Sequence, residues 1–490
     1  MIASLQKHLP IYFICMLLGV APVYAHAADT VQVRTYGGPG LEIAYSMALM
    51  PDTGMILAGI TGYYGPGNTS VYLVRVDRNG IHKWSKVLGG TEVDVANDIQ
   101  VSGDSVMYIT GYSNSFGSGY DGYVIKTDTG GTLIWERTYG GTDWDFLYAS
   151  HLLSNGNLLL CGKTFSFTNG NFDCYVVMID ADGNLLWQKN FGGAYNDEFR
   201  SVTADINAVY VSGAVTLSSS DSSAGLLIKL DFMGNLIDSL TYSQNGSDGF
   251  KDISLVNGEL FMSGFARLPD SVANDIWVVR TDTQGNIINS IVGSNPEDDY
   301  LNDAALVSGG EMVYCGQKDP SGLGEKSMYL ARFDLGGGYK NSTSLGEADD
   351  EEGYKALVLP DGRMAFCGYT TSFGQGNEEA YLIIFPFDTI NNDYVLFNIG
   401  YAEQLSPIGI EENVVVDVQS VFPNPSSGKF CIKESGMKAD LFLLSDIRGS
   451  VIYSGKPDSN CFYFSDLPAG IYFYSLRFGQ KMLHGKLIFN

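Results

Sequence analysis

The stretch Asp121-Gly-Tyr-Val-Ile-Lys-Thr-Asp128-Thr-Gly-Gly131-Thr-Leu-Ile-Trp135-Glu-Arg-Thr-Tyr139-Gly-Gly141 holds two strands and the turns that bound them. Asp121 to Asp128 and Thr132 to Tyr139 alternate in polarity and are rich in aromatic and β-branched residues, the period-two signature of strands. Asp128-x-x-Gly131 joins them as a tight hairpin. Asp folds its carboxylate onto nearby backbone N–H groups, and Gly takes the positive φ that such a turn needs. Upstream, Asp94 to Val101 and Val106 to Tyr112 supply two more strands, so the unit has four.

The unit recurs seven times. The Asp that closes its third strand falls at Asp77, Asp128, Asp180, Asp231, Asp282, Asp334 and Asp388, in steps of 51 to 54 residues. A four-stranded sheet with two apolar faces must stack on neighbours, and a closed ring of such sheets leaves no exposed end. The expected fold is therefore all-β: a seven-bladed β-propeller. Trp84, Trp135 and Trp187 share one place on the fourth strand and are expected to pack between blades, since ligand-binding residues rarely repeat so regularly. Eight segments read as fourth strands, one more than seven blades use. The first is Val31 to Tyr36 and the last Tyr394 to Asn398. The N-terminal one is expected to close the seventh blade, with the C-terminal one as its rival.

The period stops after Asp388. Residues 28–400 are assigned to the propeller, 401–416 to a polar linker, and 417–490 to a small antiparallel β-sandwich built from short strands. Residues 1–27 have the thin basic start, the short apolar run and the Ala25-His-Ala27 end of a secretory signal peptide. Six cysteines follow it. Cys161, Cys315 and Cys367 occupy one repeat slot, filled elsewhere by Ala58, Thr110, Ser212 and Ser263, and so are expected to be small buried residues. Cys431–Cys461 is the one pair that stands as a disulfide candidate.

The net charge is −26. Nucleic acid needs a cationic face, so it is not an expected partner. Five histidines without a shared site, and the absence of zinc, nucleophile-elbow and phosphate-loop motifs, leave no catalytic signature. Asp180-Ala-Asp182-Gly183 is a fragment of a calcium loop, but it coincides with a hairpin turn; no cofactor is expected, with calcium as the one candidate.

A carboxylate begins the first strand of every repeat: Glu42, Asp94, Asp145, Asp197, Asp248, Asp299 and Glu352. Asp98, Asp252 and Asp303 follow four residues later in three units. Two readings stand. Each carboxylate accepts backbone N–H groups of the preceding Gly-Gly turn, or the acids gather at the channel mouth and attract a metal ion or another cation. The loops between second and third strands differ in length and composition, and variation over a uniform scaffold is where binding function resides.

The last domain resembles the type A C-terminal sorting domain of the type IX secretion system of Bacteroidetes. The resemblance rests on Phe422-Pro423-Asn424-Pro425-Ser-Ser-Gly428, Asp446-Ile-Arg-Gly449, Leu467-Pro-Ala-Gly470-Ile-Tyr472 and Lys486-Leu-Ile-Phe489, in that order. It implies handling by the type IX machinery and a destination outside the cell or on its outer surface. The propeller repeats look like those common in secreted Bacteroidetes proteins. The expected function is a non-catalytic exported propeller that binds a glycan or a protein through its loops. The alternative is a secreted glycan hydrolase or lyase with carboxylates at the channel mouth.

Overall fold

A computed structural model of the chain describes residues 31–386, apart from short loop stretches, and strand segments between 421 and 489. The described residues of the first unit form seven four-stranded antiparallel sheets. In the second blade the order is Asp94–Ser102, Val106–Ser113, Asp121–Asp128 and Leu133–Tyr139, from the axis outward. Neighbouring inner strands touch all round, and Glu351–Val358 of the seventh blade meets Glu42–Leu49 of the first.

Burial follows the radial position of each strand. Every residue of Met55–Thr61 and Ser70–Val76 is buried, because both faces of these middle strands lie against other blades. The outermost Leu133–Tyr139 is mostly exposed. Apolar clusters span the blade boundaries: Leu57 and Val74 of the first blade pack with Ala365 and Leu382 of the seventh. The tryptophans also lie between blades. The Trp84, Trp135 and Trp187 rings cover Gly131, Gly183 and Gly234, the hairpin glycines of the following blades, and Trp187 Nε1 donates to Phe232 O at 3.0 Å.

The ring closes through the N-terminal strand. Gln32–Tyr36 pairs antiparallel with Glu379–Pro386, from Gln32 opposite Ile384 to Tyr36 opposite Ala380. Val33, Thr35 and Tyr36 are buried, and the Tyr36 hydroxyl donates to Gly80 O of the first blade. The rival segment, Tyr394 to Asn398, and the signal peptide lie outside the described residues.

The chain divides into two units at Ile410/Glu411. In the second, Val421–Phe422, Lys429–Ile432 and Cys461–Tyr463 form one antiparallel sheet. Val451–Gly455, Leu441–Ser445, Gly470–Phe478 and Lys481–Phe489 form another. Among the sorting-motif residues, Gly470 and Tyr472 lie on one strand and Lys486 on the next; the Tyr472 hydroxyl donates to Pro468 O at 2.8 Å. Pro423, Asn424, Pro425, Gly428, Asp446 and Gly449 fall outside the described residues. The backbone register sets Cys431 opposite Cys461. Cys161, Cys174, Cys315 and Cys367 are buried free thiols.

Candidate functional site

The hairpin and first-strand carboxylates serve their own turns. The Asp180 carboxylate accepts the Asp182 and Asn184 backbone N–H groups at 2.9 and 2.8 Å. Asp145 accepts Gly141 N at 2.8 Å together with the hydroxyls of Thr164 and Ser166. Glu42, Asp94, Asp197 and Asp248 accept the equivalent backbone N–H groups of Gly38, Gly90, Gly193 and Gln244. Asp299 is buried beside Lys318, whose amine is 3.7 Å away. In the seventh blade this place belongs to Glu351, which accepts from Thr370 at 2.7 Å, and not to Glu352. Two adjacent glutamates compete for the slot, so the repeat pattern is ambiguous there by one residue. Glu352 stands on the neighbouring position and accepts from Asn302 instead. Among the described residues no group of three or more His, Cys, Asp or Glu side chains is arranged to hold a metal ion.

A second periodic feature was not read from the sequence. Each inner strand skips one residue in its pairing with the second strand, and always at the same place. The skipped residues are Tyr45, Asn97, Tyr148, Arg200, Lys251, Asn302 and Tyr354. These are β-bulges, which bend a strand and re-aim the extra side chain. Opposite each lies a glycine of the second strand: Gly59, Gly111, Gly162, Gly213, Gly264, Gly316 and Gly368. A Cβ there would sit 1.7 to 2.1 Å from the carbonyl oxygen two residues before the bulge. Only glycine lets the bulged strand come that close. This glycine, recurring inside a strand, is the signal from which the bulges could have been inferred.

The seven bulged residues are half-buried and line the central channel, a cavity of about 450 Å³. They share a backbone position but not a chemistry. Blades seven, one and three contribute Tyr354, Tyr45 and Tyr148, with Asn97 between the last two. Blades four, five and six contribute Arg200, Lys251 and Asn302. The channel thus has an aromatic arc facing a charged and amide arc. The Tyr45 and Tyr354 ring centroids are 5.0 Å apart. The Arg200 guanidinium lies 4.3 Å above the Tyr148 ring, while its Nε donates to Glu198 at 2.7 Å. Lys163 also reaches Glu198 at 3.3 Å, and despite burial these two cations hold the Glu198 carboxyl below its usual range.

Lys251 is held differently. Its Nζ donates to Asn302 Oδ1 at 2.9 Å. The Asn302 Nδ2 donates to Glu352 Oε1 at 2.9 Å and to Gly353 O at 2.8 Å, which fixes the amide with its oxygen toward the lysine. Burial, with Arg200 adding to it, brings the amine down to about 8 against the pull of Glu352 and Glu198.

One residue further along the inner strands lie Asp98, Asp252 and Asp303. Asp98 accepts the hydroxyls of Ser46 and Ser150 from the two flanking blades, at 2.8 and 2.6 Å. Asp252 accepts Ser201 at 3.0 Å. Asp303 takes Lys355 at 2.7 Å and the Ala356 N–H at 2.9 Å. Against the cost of burial, Asp303, Asp98 and Asp252 hold the Lys355 ammonium above its ordinary range. These acids tie adjacent inner strands together.

The loops between second and third strands open on the face where the inner strands begin. Asn68 N donates to Glu92 O, and Val93 N to Asn114 Oδ1, so these loops pack on the turns that precede the inner strands. Trp144, 52 % exposed, stands on this face. From it a run of rings leads inward: Tyr120 at 5.9 Å, Phe146 at 5.5 Å beyond that, then Tyr148 at 6.4 Å. Phe116 and Phe167 are also exposed, but each packs on a third-strand tyrosine (Tyr123 and Tyr175) in the same way, a recurring structural contact.

Residues 420–490 match the family of the secretion system C-terminal sorting domain. This C-terminal sorting domain marks the chain for export and cell-surface attachment, one of the two destinations, secreted or surface-attached, that its motifs implied. No curated protein matches the chain in sequence. Among solved structures, the WD40 β-propeller domain of Doa1 is 12 % identical with a TM-score of 0.46, over 72 % of this chain and 97 % of that one. A protein of unknown function from Bacteroides caccae is 12 % identical with a TM-score of 0.39, over 59 % of this chain and 93 % of that one. The extracellular domain described as that of a hybrid two component system from B. thetaiotaomicron is 11 % identical with a TM-score of 0.42, over 94 % of this chain and 60 % of that one. At such identities the likeness is one of architecture and carries no ligand with it.

Proposed function

We propose that this exported propeller is a non-catalytic binding protein that takes a saccharide at the mouth of its central channel. The observation that carries the reading is the ring of bulged residues. One backbone device, repeated seven times, presents seven side chains of blade-specific identity, and they sort into an aromatic arc and a hydrogen-bonding arc. A sugar ring has the matching character, with apolar C–H faces and polar edges. A concavity of about 450 Å³ accommodates one or two such rings. The Trp144–Tyr120–Phe146–Tyr148 run would extend the contact outward along a longer chain.

Binding is favoured over hydrolysis by the state of the carboxylates. Glu42, Asp94, Asp145, Asp197 and Asp248 are occupied by their own turns, Asp299 lies beside Lys318, Glu352 accepts from Asn302, and Asp98, Asp252 and Asp303 are taken by serines and Lys355. None of these stands in an uncommitted acid–base pair beside open space. The test is a glycan array probed with the full chain, followed by calorimetry on the best ligand with Tyr354→Ala and Trp144→Ala. Tyr354→Ala is expected to weaken binding at least ten-fold and Trp144→Ala to weaken longer chains selectively. Turnover of a glycan, or tight binding of a protein ligand with no saccharide bound, would overturn the proposal.

A further inference from the structure

We propose that the saccharide is acidic: a sugar carboxylate is received by Lys251 and Arg200, on adjacent blades, while the ring lies against the tyrosine arc that begins at Tyr148. This rests on the saccharide reading above and deepens it. Three observations converge on it.

First, Lys251 is a cation inside the channel with no carboxylate within ion-pair distance among the described residues; its partners are the neutral Asn302 Oδ1 and the Tyr300 ring, whose centroid is 4.8 Å from Nζ. An ammonium has three N–H groups, so beside the amide and the ring there is room for a further acceptor. Even a half-buried charge without a counter-ion is costly, and such a charge is retained where a ligand supplies the partner. Second, the amine is aimed. Asn302 is itself locked by Glu352 and Gly353, so Lys251 is positioned before any ligand arrives. Third, Arg200 occupies the equivalent bulge on the next blade. Glu198 engages its Nε and Nη2, and its face lies on Tyr148. Glu198 offsets Arg200, but the two cations on neighbouring strands still repel, and an anion between them gives Lys251 the counter-ion it lacks.

The surroundings narrow the ligand further. The chain as a whole carries −26, and Asp98, Asp252 and Asp303 lie deeper in the same channel. A polyanion is repelled at both ranges. The charge pattern therefore fits a glycan with a single acidic residue, its carboxylate held at the cationic arc and clear of the aspartates.

Calorimetry on the full chain tests this with four probes: a disaccharide ending in glucuronate, the same disaccharide ending in glucose, glucuronate alone, and inorganic sulfate. The glucuronate disaccharide is expected to bind at least ten-fold more tightly than its neutral counterpart. Lys251→Met should bring the two disaccharides to within two-fold of each other, whatever affinity both lose in common, and Lys251→Arg should keep most of the preference; circular dichroism checks that both variants fold. Equal affinity for the two disaccharides, or a preference that survives Lys251→Met, overturns this inference and leaves the saccharide reading standing. Sulfate bound as tightly as the glucuronate disaccharide reduces the site to a small-anion site and refutes the sugar. Binding of none of the probes, together with an empty glycan array, refutes both proposals.

Discussion

Replacing Lys251 by methionine should stabilise this protein at neutral pH, and the gain should disappear in alkali. Burial lowers the amine from its usual 10.5 to about 8. Its folded pKa is depressed, so between those values the unfolded chain binds the extra proton. The charged amine therefore disfavours the fold fully below pH 8, and the penalty fades as pH rises toward 10.5. At about 1.4 kcal/mol per unit the penalty has a ceiling of about 3 kcal/mol, reduced by whatever water the channel holds. Methionine keeps the length of the side chain and removes the charge. Against this, the hydrogen bond to Asn302 Oδ1 and the ammonium's contact with the Tyr300 ring are lost, together about 1–2 kcal/mol. The variant should then be about 1–2 kcal/mol more stable than the parent at pH 7 and slightly less stable above about pH 10. The charged groups around the amine are Arg200, Lys326, Glu198 and Glu352, and both proteins share them, so their own titration largely cancels. Urea unfolding of both proteins at pH 7 and pH 10 measures the double difference. A variant less stable at pH 7, or a difference that does not change with pH, would refute the reasoning. A stabilised variant that has also lost its acidic ligand would show a site retained at the expense of stability.

Four further outcomes are expected. Gly162→Ala should destabilise the third blade by roughly 3 kcal/mol or more, because its Cβ would fall 1.9 Å from Phe146 O; thermal unfolding followed by circular dichroism reads it. Tyr36→Ala should cost about 3–5 kcal/mol in urea unfolding, since a buried ring and the bond to Gly80 O hold the closing strand. Asp145→Ala should lower stability by about 1–3 kcal/mol and leave saccharide affinity unchanged, as suits a turn residue; a loss of affinity at unchanged stability would return the first-strand acids to the binding site. Non-reducing peptide mapping of secreted protein should find Cys431 linked to Cys461, which the cross-strand register allows; two free thiols would exclude it.

How much of this could be read in advance depends on the range of the interaction. The hairpin Asp and Gly residues act within five positions of chain, so Asp128 to Gly131 announces its turn without any knowledge of partners. Trp84 was assignable to blade packing from recurrence alone, although its contact, Gly131, lies in the next blade. Glu352 was misplaced by one residue, because two adjacent glutamates, Glu351 and Glu352, compete for one slot and only strand pairing tells them apart. The bulges escaped because a strand read by itself shows only alternation. Skipping a residue is a property of two paired strands, and the glycine that permits it stands 13 or 14 positions away.

The sequence by itself determined the number of blades, the hairpins and the sorting motifs, because each is written in local and repeated patterns. Tertiary structure alone decided which strand closes the ring, since Gln32–Tyr36 meets Glu379–Pro386 only after some 350 residues have folded between them. It alone also brought Tyr45, Tyr148, Arg200, Lys251, Asn302 and Tyr354 to one channel. Those residues are dispersed over the whole propeller and differ in type, so their identities do not link them; the one recurring mark is the second-strand glycine opposite each. What they share is a bulge, and a bulge exists only where one strand is laid against another.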